Sequence, residues 1–240
     1  MAHAAPAEAE EYREWPGGPE AVRCWWEQRV GSAREQRVVP DGSADIIVFA
    51  DGPVILVGPA MRVALPRLGA GTHVRGLRFR TEALATALGL PAAEIRELTL
   101  PLSAVLADRD TRRVREAVWS GRFPEPLCGD RVDARVRAAV RRLWAGADPG
   151  VVAAEADITG RHLRRLLLAH TGLGPRSLQR VGRFQRFLCA AESAAARPAT
   201  LALRAAGAGY ADQAHLAREV RELTGLTPSA LLRERSGRPV

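Results

Sequence analysis

The chain has 240 residues, enough for one large or two modest domains, and 47% of them are hydrophobic, which suffices for packed cores. No apolar run approaches the ~20 residues of a membrane span, the acidic start MAHAAPAEAEEYREW lacks the apolar segment of a secretory signal, and Cys24, Cys128 and Cys189 are far apart with no CxxC. Residues 1–128 hold 16 Arg and 17 Asp+Glu, a net of −1, whereas residues 129–240 hold 19 Arg and 10 Asp+Glu, a net of +9; together they make the +8 of the whole chain.

The cysteine usage argues against a disulfide framework or a zinc knuckle and fits a reducing cytoplasm. A basic half beside a neutral half suits a phosphate-binding domain next to one that does not touch nucleic acid, or else a solvated basic face. Every basic side chain is an arginine, and lysine and asparagine are absent, a codon bias expected of a GC-rich genome.

In chain order, the aromatic-rich Val22–Val30 follows the Pro16-Gly17-Gly18-Pro19 turn and reads as a strand. Ala44–Ala50 and Pro53–Pro59 are short Ile/Val-rich runs, and Asp51-Gly52 between them signals a hairpin, though Pro53 spoils the simplest two-residue turn. His73–Arg80 alternates apolar residues with arginines, a further strand with Gly76 as a candidate bulge. Thr81–Leu88 reads as a helix capped by Thr81 and stopped at Gly89, and Pro91–Leu98 as a short helix started by proline. Thr111–Trp119 and Val132–Trp144 are amphipathic helices with arginine-rich outer faces. Gly121–Gly129 reads as the start of a linker, and Gly146–Gly150 as the last break before the helical half.

That half contains a duplication. HLRRLLLAHTGLGPRSLQR (162–180) recurs as HLAREVRELTGLTPSALLR (215–233), 53 positions later, with nine identical residues. Each copy continues a unit of short helix, turn, capped helix, glycine stop and proline restart. In the first unit these are 151–156, Asp157-Ile158, an N-cap at Thr159, a helix 160–170, Gly172 and Pro175. In the second they are Leu201–Ala206, a Gly207–Gly209 turn, an N-cap at Asp212, a helix to Leu223, Gly225 and Pro228. The intervening helix 175–195 would be ~30 Å long at ~1.5 Å per residue.

Short helix, tight turn and second helix is the helix-turn-helix arrangement, whose second helix enters a DNA major groove. The first such helix offers Arg161, His162, Arg164 and Arg165, and the second Gln213, His215, Arg218 and Arg221. Arginine suits guanine or phosphate, and glutamine suits adenine. Two units one DNA turn apart, ~34 Å, would reach successive grooves on one face of the duplex.

On TGRHLRRLLLAHTGLGP and GYADQAHLAREVRELTGLTPSALLR, the last ~90 residues resemble the AraC/XylS family DNA-binding domain. The resemblance implies DNA-facing positions at Arg161, Arg164 and Arg165, and at Gln213, Ala214 and Arg218. Ala214 would offer only apolar contact to a thymine methyl. Arg204 stands where the family usually has an aliphatic core residue. YREW, RCWW, VVPDGSADII, VGPAM, GLRFR and GLPAAEIRELTLPL, between residues 12 and 102, resemble the domain of unknown function that precedes this half in many actinobacterial regulators. That resemblance implies effector sensing, self-association, or both.

Other residues read as structural. One of Trp25 and Trp26 faces the core, leaving the other for a pocket or interface. His73 lacks metal-ligand neighbours, Asp41 and Asp45 suit turn and strand-cap roles, and Arg75, Arg78 and Arg80 suit a solvated strand face. Cys128 lacks an activating partner in sequence for methyl acceptance. His162 and His215 suit structural or phosphate-contacting roles.

The expected fold is α+β: a mixed, strand-rich N-terminal domain (10–128), a helical connector (129–150), and an all-α C-terminal domain (151–236) with two helix-turn-helix modules joined by a long helix. The expected protein is a cytoplasmic, sequence-specific transcriptional regulator reading double-stranded DNA, without cofactor, metal, membrane partner or catalytic residue. A small-molecule effector, a second copy of the chain and RNA polymerase are its candidate partners. The alternative is an enzyme or a pure dimerisation module in the N-terminal half.

Overall fold

The computed structural model describes residues 11–127, 132–193 and 200–236. The N-terminal half carries strands β1 (Glu11–Trp15), β2 (Val22–Arg29), β3 (Arg34–Glu35), β4 (Ala44–Phe49), β5 (Val54–Val57), β6 (Arg67–Leu68) and β7 (His73–Phe79). Helix α1 (Leu84–Leu88), strand β8 (Thr99–Pro101) and helix α2 (Asp108–Trp119) complete it. Six strands form one antiparallel sheet in the order β1-β2-β7-β4-β5-β8, and β3 pairs with β6 as a separate ribbon. Burial alternates along β4 with the two-residue period of a strand: Ala44, Ile46 and Val48 are buried, and Asp45, Ile47 and Phe49 half-buried. The buried set joins Trp25, Leu56, Leu77 and Phe79, and packs against Leu84 and Leu88 of α1 and Val114 and Val118 of α2.

Local sterics correct several expectations. The hairpin joins β4 to β5 with Val48 opposite Val54, but Phe49 N–H donates to the Pro53 carbonyl at 3.2 Å, leaving a three-residue loop. Proline can accept at that position and cannot donate, so the closing bond moves outward. Gly76 is not a bulge: it sits in regular register opposite Trp26 and Ile47, and the irregularity lies between Val22 and Cys24. Glycine is needed because any Cβ at 76 would overlap the Trp26 indole. Thr81 is not a cap. Helix α1 starts at Leu84, after Ala83 with no side-chain cap, and ends as expected at Gly89 with φ 68°. The expected helix at 91–98 is a single 3-10 turn, Ala92–Glu94, after which Glu97 adopts a positive φ.

Trp25 lies in the core, whereas Trp26 closes the other sheet face, donating to Asp45 Oδ1 at 2.7 Å. The arginines of β7, Arg75 and Arg78, are not a solvated face, whereas Arg80, just past the strand, is exposed. Arg78 pairs with Asp45 at 3.0 Å and Glu14 at 3.0 Å, and Arg80 donates to the Glu20 carbonyl. Arg75 stacks on Trp119 beside Glu27, which His73 Nε2 meets at 2.6 Å. Burial pushes the Glu27 carboxyl up, but the His73 hydrogen bond and the Arg75, His73 and Arg13 charges outweigh it and hold it below its ordinary range. Asp41 accepts from Ser43 N–H at 2.9 Å in a local turn. Cys24 is buried, Cys189 is exposed, and Cys128 lies outside the described residues.

The C-terminal half is helical: α3 (Ala134–Trp144), α4 (Pro149–Glu155), α5 (Gly160–Thr171), α6 (Pro175–Ser193), α7 (Leu201–Ala208), α8 (Gln213–Thr224) and α9 (Pro228–Ser236). The fold is thus the expected α+β arrangement, a strand-rich sheet followed by a helical region. It holds two cores. The first packs α3 with α4 and α5 through Val136, Leu143, Val152, Leu163, Leu167 and Leu178. The second packs Phe184, Phe187, Ala205, Leu216, Val220 and Leu231 around the far end of α6. None of the described helices is long and apolar enough to cross a membrane.

Candidate nucleic-acid interface

The duplicated residues build the same local structure twice. Thr159 ends the first turn with its hydroxyl accepting from His162 N–H at 3.2 Å, and Asp212 does the same for His215 N–H at 2.6 Å. Each satisfies one of the orphan donors at a helix start, worth ~1 kcal/mol. Asp212→Ala is therefore expected to lower the free energy of unfolding by ~1 kcal/mol, measured by urea denaturation.

At the other end, Thr171 and Thr224 return their hydroxyls to the carbonyls of Leu167 and Val220, both at 2.7 Å. The same hydroxyls accept from Leu173 N–H at 3.0 Å and Leu226 N–H at 3.2 Å. Gly172 and Gly225 then take the left-handed conformation, φ 68° and 75°, that closes each helix. Leu163, Leu216, Leu178 and Leu231 are buried. Eight of the nine shared positions are buried or half-buried in the first copy, Arg165 being the exception, so the copies agree mainly where the fold needs them.

The first helices are less alike. Gly207 lies inside α7, not in the turn, which begins at Gly209 with φ 88°. In the 53-residue register of the duplication, buried Val152 of α4 corresponds to buried Ala205 of α7, and half-buried Arg204 to exposed Val151. The second core therefore has a smaller side chain there and relies on Leu201, Ala205, Ala208 and Tyr210.

On α5, Arg161, Arg164 and Arg165 are exposed, and His162 is half-buried. On α8, Gln213, Ala214 and Arg218 are exposed, as is Arg221, while His215 is half-buried. Arginines on neighbouring helices are engaged: Arg142 of α3 with Glu155, and Arg180 and Arg183 of α6 with Glu222 and Glu219. Among the described residues, Arg161, Arg164, Arg165 and Arg218 have no ion-pair or hydrogen-bond partner for their guanidinium groups. The structure brings Arg161, Arg164 and Arg165 together on the first turns of α5, and Gln213, Ala214 and Arg218 on the first turns of α8. His215 differs from its neighbours. Its ring packs edge-on against Tyr210, 5.2 Å between centroids, and its Nδ1 faces Ala211 N–H at 3.4 Å, so it closes the turn.

Residues 152–234 match the family model described as a helix-turn-helix domain. The C-terminal half is an AraC-type helix-turn-helix domain. Residues 19–101 match a domain of unknown function (DUF6597). The chain is accordingly a DNA-binding transcription regulator. No curated protein matches it. Among solved structures, the C-terminal domain of AraT, a response regulator from Geobacillus stearothermophilus, is 20% identical, covering 44% of this chain and 89% of that one with a TM-score of 0.39. ToxT from Vibrio cholerae is 12% identical, covering 85% and 91% with a TM-score of 0.43.

Within the AraC-type domain, the structure adds residues that the sequence reading missed. Arg186, midway along α6, donates to the Trp144 carbonyl at the end of α3 and to the Ala208 carbonyl at the end of α7 at 3.0 Å. One side chain thus ties the ends of α3 and α7 to the connecting helix. Glu219 is buried on α8, where Arg183 meets it at 2.9 Å and Arg180 at 3.5 Å. Its counterpart in the first copy is Leu166, so an ionic anchor replaces an apolar one in the second. Burial, and then the Glu219 charge, push the Tyr210 phenol well above its ordinary range and keep it protonated. The sequence signal for Glu219 was its place on the apolar stripe of α8, between Leu216 and Leu223.

Proposed function

We propose that the regulator reads a specific double-stranded DNA sequence by placing α5 and α8 in two successive major grooves. The observation that carries this reading is the arginine cluster on the first turns of α5, exposed and without partners among the described residues, repeated in weaker form by Gln213 and Arg218 on α8. The N-terminal ends of recognition helices are the parts that meet base edges. Helix α6 has 19 residues, ~28 Å at ~1.5 Å per residue, close to the ~34 Å turn of the duplex. Arg161, Arg164, Arg165 and Arg218 supply guanine or phosphate contacts, Gln213 an adenine contact, and Ala214 apolar contact with a thymine methyl. His162 lies beside the arginines as a phosphate contact, whereas His215 supports the turn. The division of labour places reading in residues 151–236, a helical connector at 129–150 and control in residues 10–128, exercised in the cytoplasm. A small-molecule effector, a second copy of the chain and RNA polymerase are the partners this control calls for.

Selection from random duplexes with the full chain would yield the operator. Against it, Arg165→Ala and Arg218→Ala are each expected to weaken binding by ~1–3 kcal/mol in a gel-shift titration. Unchanged affinity in both variants would overturn the assignment.

A further inference from the structure

The two recognition helices end on equivalent glycines, and both ends abut the N-terminal domain. A Cβ at Gly172 would lie 2.9 Å from the Ala92 carbonyl oxygen and 3.0 Å from the Pro59 ring, so the end of α5 is seated directly on the backbone that follows α1 and on the proline that follows β5. The end of α8 is held differently. Arg37 Nη1 donates to the carbonyl of Thr224, the last residue of α8, at 2.7 Å. Its Nε lies 3.1 Å from both carboxylate oxygens of Glu234 on α9. A cation at a helix C-terminus complements the exposed carbonyl dipoles, and only arginine presents several donors in one rigid fork.

Arg37 is itself anchored to the sheet. Its neighbour Gln36 accepts from Gln28 Nε2 of β2 at 2.7 Å, and Val38 exchanges both backbone hydrogen bonds with Ala64. Beyond Arg37 the same segment runs along the AraC-type domain. Val39 packs on the second core, the Pro40 carbonyl accepts from Gln185 Nε2 of α6 at 2.7 Å, and Gly42 lies against Trp144 and Val181. Met61, on the paired segment, touches both cores.

We propose that the N-terminal domain is a jig that fixes the separation of the two recognition helices, and that Arg37 is the positioning residue for the second. This rests on the two-groove reading. Glu234 corresponds to Val181 in the first copy, so the ionic clamp belongs to the second module alone. Losing it should free α8 while leaving α5 seated.

The test uses the full chain and three DNA probes: the selected operator, the operator with its second half scrambled, and the operator with one base pair inserted between halves. Affinities are read by fluorescence anisotropy, with thermal unfolding as a check on folding. Wild type should lose at least tenfold on scrambling and on insertion. Arg37→Ala should bind the intact operator at least tenfold more weakly, bind the scrambled probe within threefold of wild type, and show a threefold smaller insertion effect. Arg37→Lys keeps the charge without the fork and should shift the same way, which preserves the test if the alanine variant is unstable. Variants that keep the wild-type responses to scrambling and insertion, or that weaken on all probes equally, overturn the role of Arg37 while leaving two-groove reading intact. A wild type indifferent to the second half overturns the two-groove reading and the jig with it.

Discussion

Replacing Arg161, Arg164 and Arg165 together with alanine is expected to abolish high-affinity operator binding while leaving the fold intact. The three guanidinium groups are exposed on adjacent turns and have no partner among the described residues, so none of those residues needs their charge. Exposed substitutions away from caps and networks usually change stability by less than ~0.5 kcal/mol. On DNA, each lost base-edge contact removes ~1–3 kcal/mol, and three together at least ~3 kcal/mol, more than a hundredfold in Kd. Those that contact phosphate also release counterions, so the slope of log K against log salt should become shallower by up to ~3. Arg218→Ala should do less, because Ala214 and Ala217 stand where the first copy has Arg161 and Arg164. Affinity within threefold of wild type and an unchanged salt slope would place the DNA on another face of the molecule.

What was legible in the sequence follows the range of the forces involved. The modules were legible because capping, glycine stops and helical periodicity are local: Thr159, Asp212, Gly172 and Gly225 sit where their chemistry demands. The exposed faces of α5 and α8 were legible for the same reason, since an amphipathic stripe fixes its opposite side. Long-range partners were not. Nothing around Arg75 or Arg78 in sequence indicates Trp119, Glu27 or Asp45, so half-buried ion pairs looked like a solvated strand face. Gly76 offered two readings, bulge or close approach, and only the arrival of Trp26 from a strand about 50 positions earlier decides between them. Gly207 resembled a turn because glycine is a poor helix former, yet the next glycine, Gly209, takes the left-handed position and lets α7 run two residues further. Arg37 carried no local signal at all, because Thr224 and Glu234 lie 187 and 197 positions away.

Gly76→Ala should be strongly damaging to the N-terminal domain although it adds a single methyl. The new methyl would occupy space filled by the Trp26 indole, which is itself buried and pinned by its hydrogen bond to Asp45. Overpacking of this kind costs ~1–3 kcal/mol, and displacing the indole also removes a donor from a largely buried carboxylate, ~1–3 kcal/mol more. A total loss of about 2–5 kcal/mol is expected in urea denaturation. If the cause is steric, Gly76→Ala and Trp26→Leu should couple, the double variant losing clearly less than the two singles combined; simple additivity would sink that account. The consequence should reach DNA reading selectively. Gln28 follows Trp26 on the same face of β2 and holds Gln36, the residue before Arg37. A sheet face displaced at Gly76 therefore loosens the base of the Arg37 clamp, and discrimination at the second half-site should weaken at temperatures where binding to the first is still unchanged.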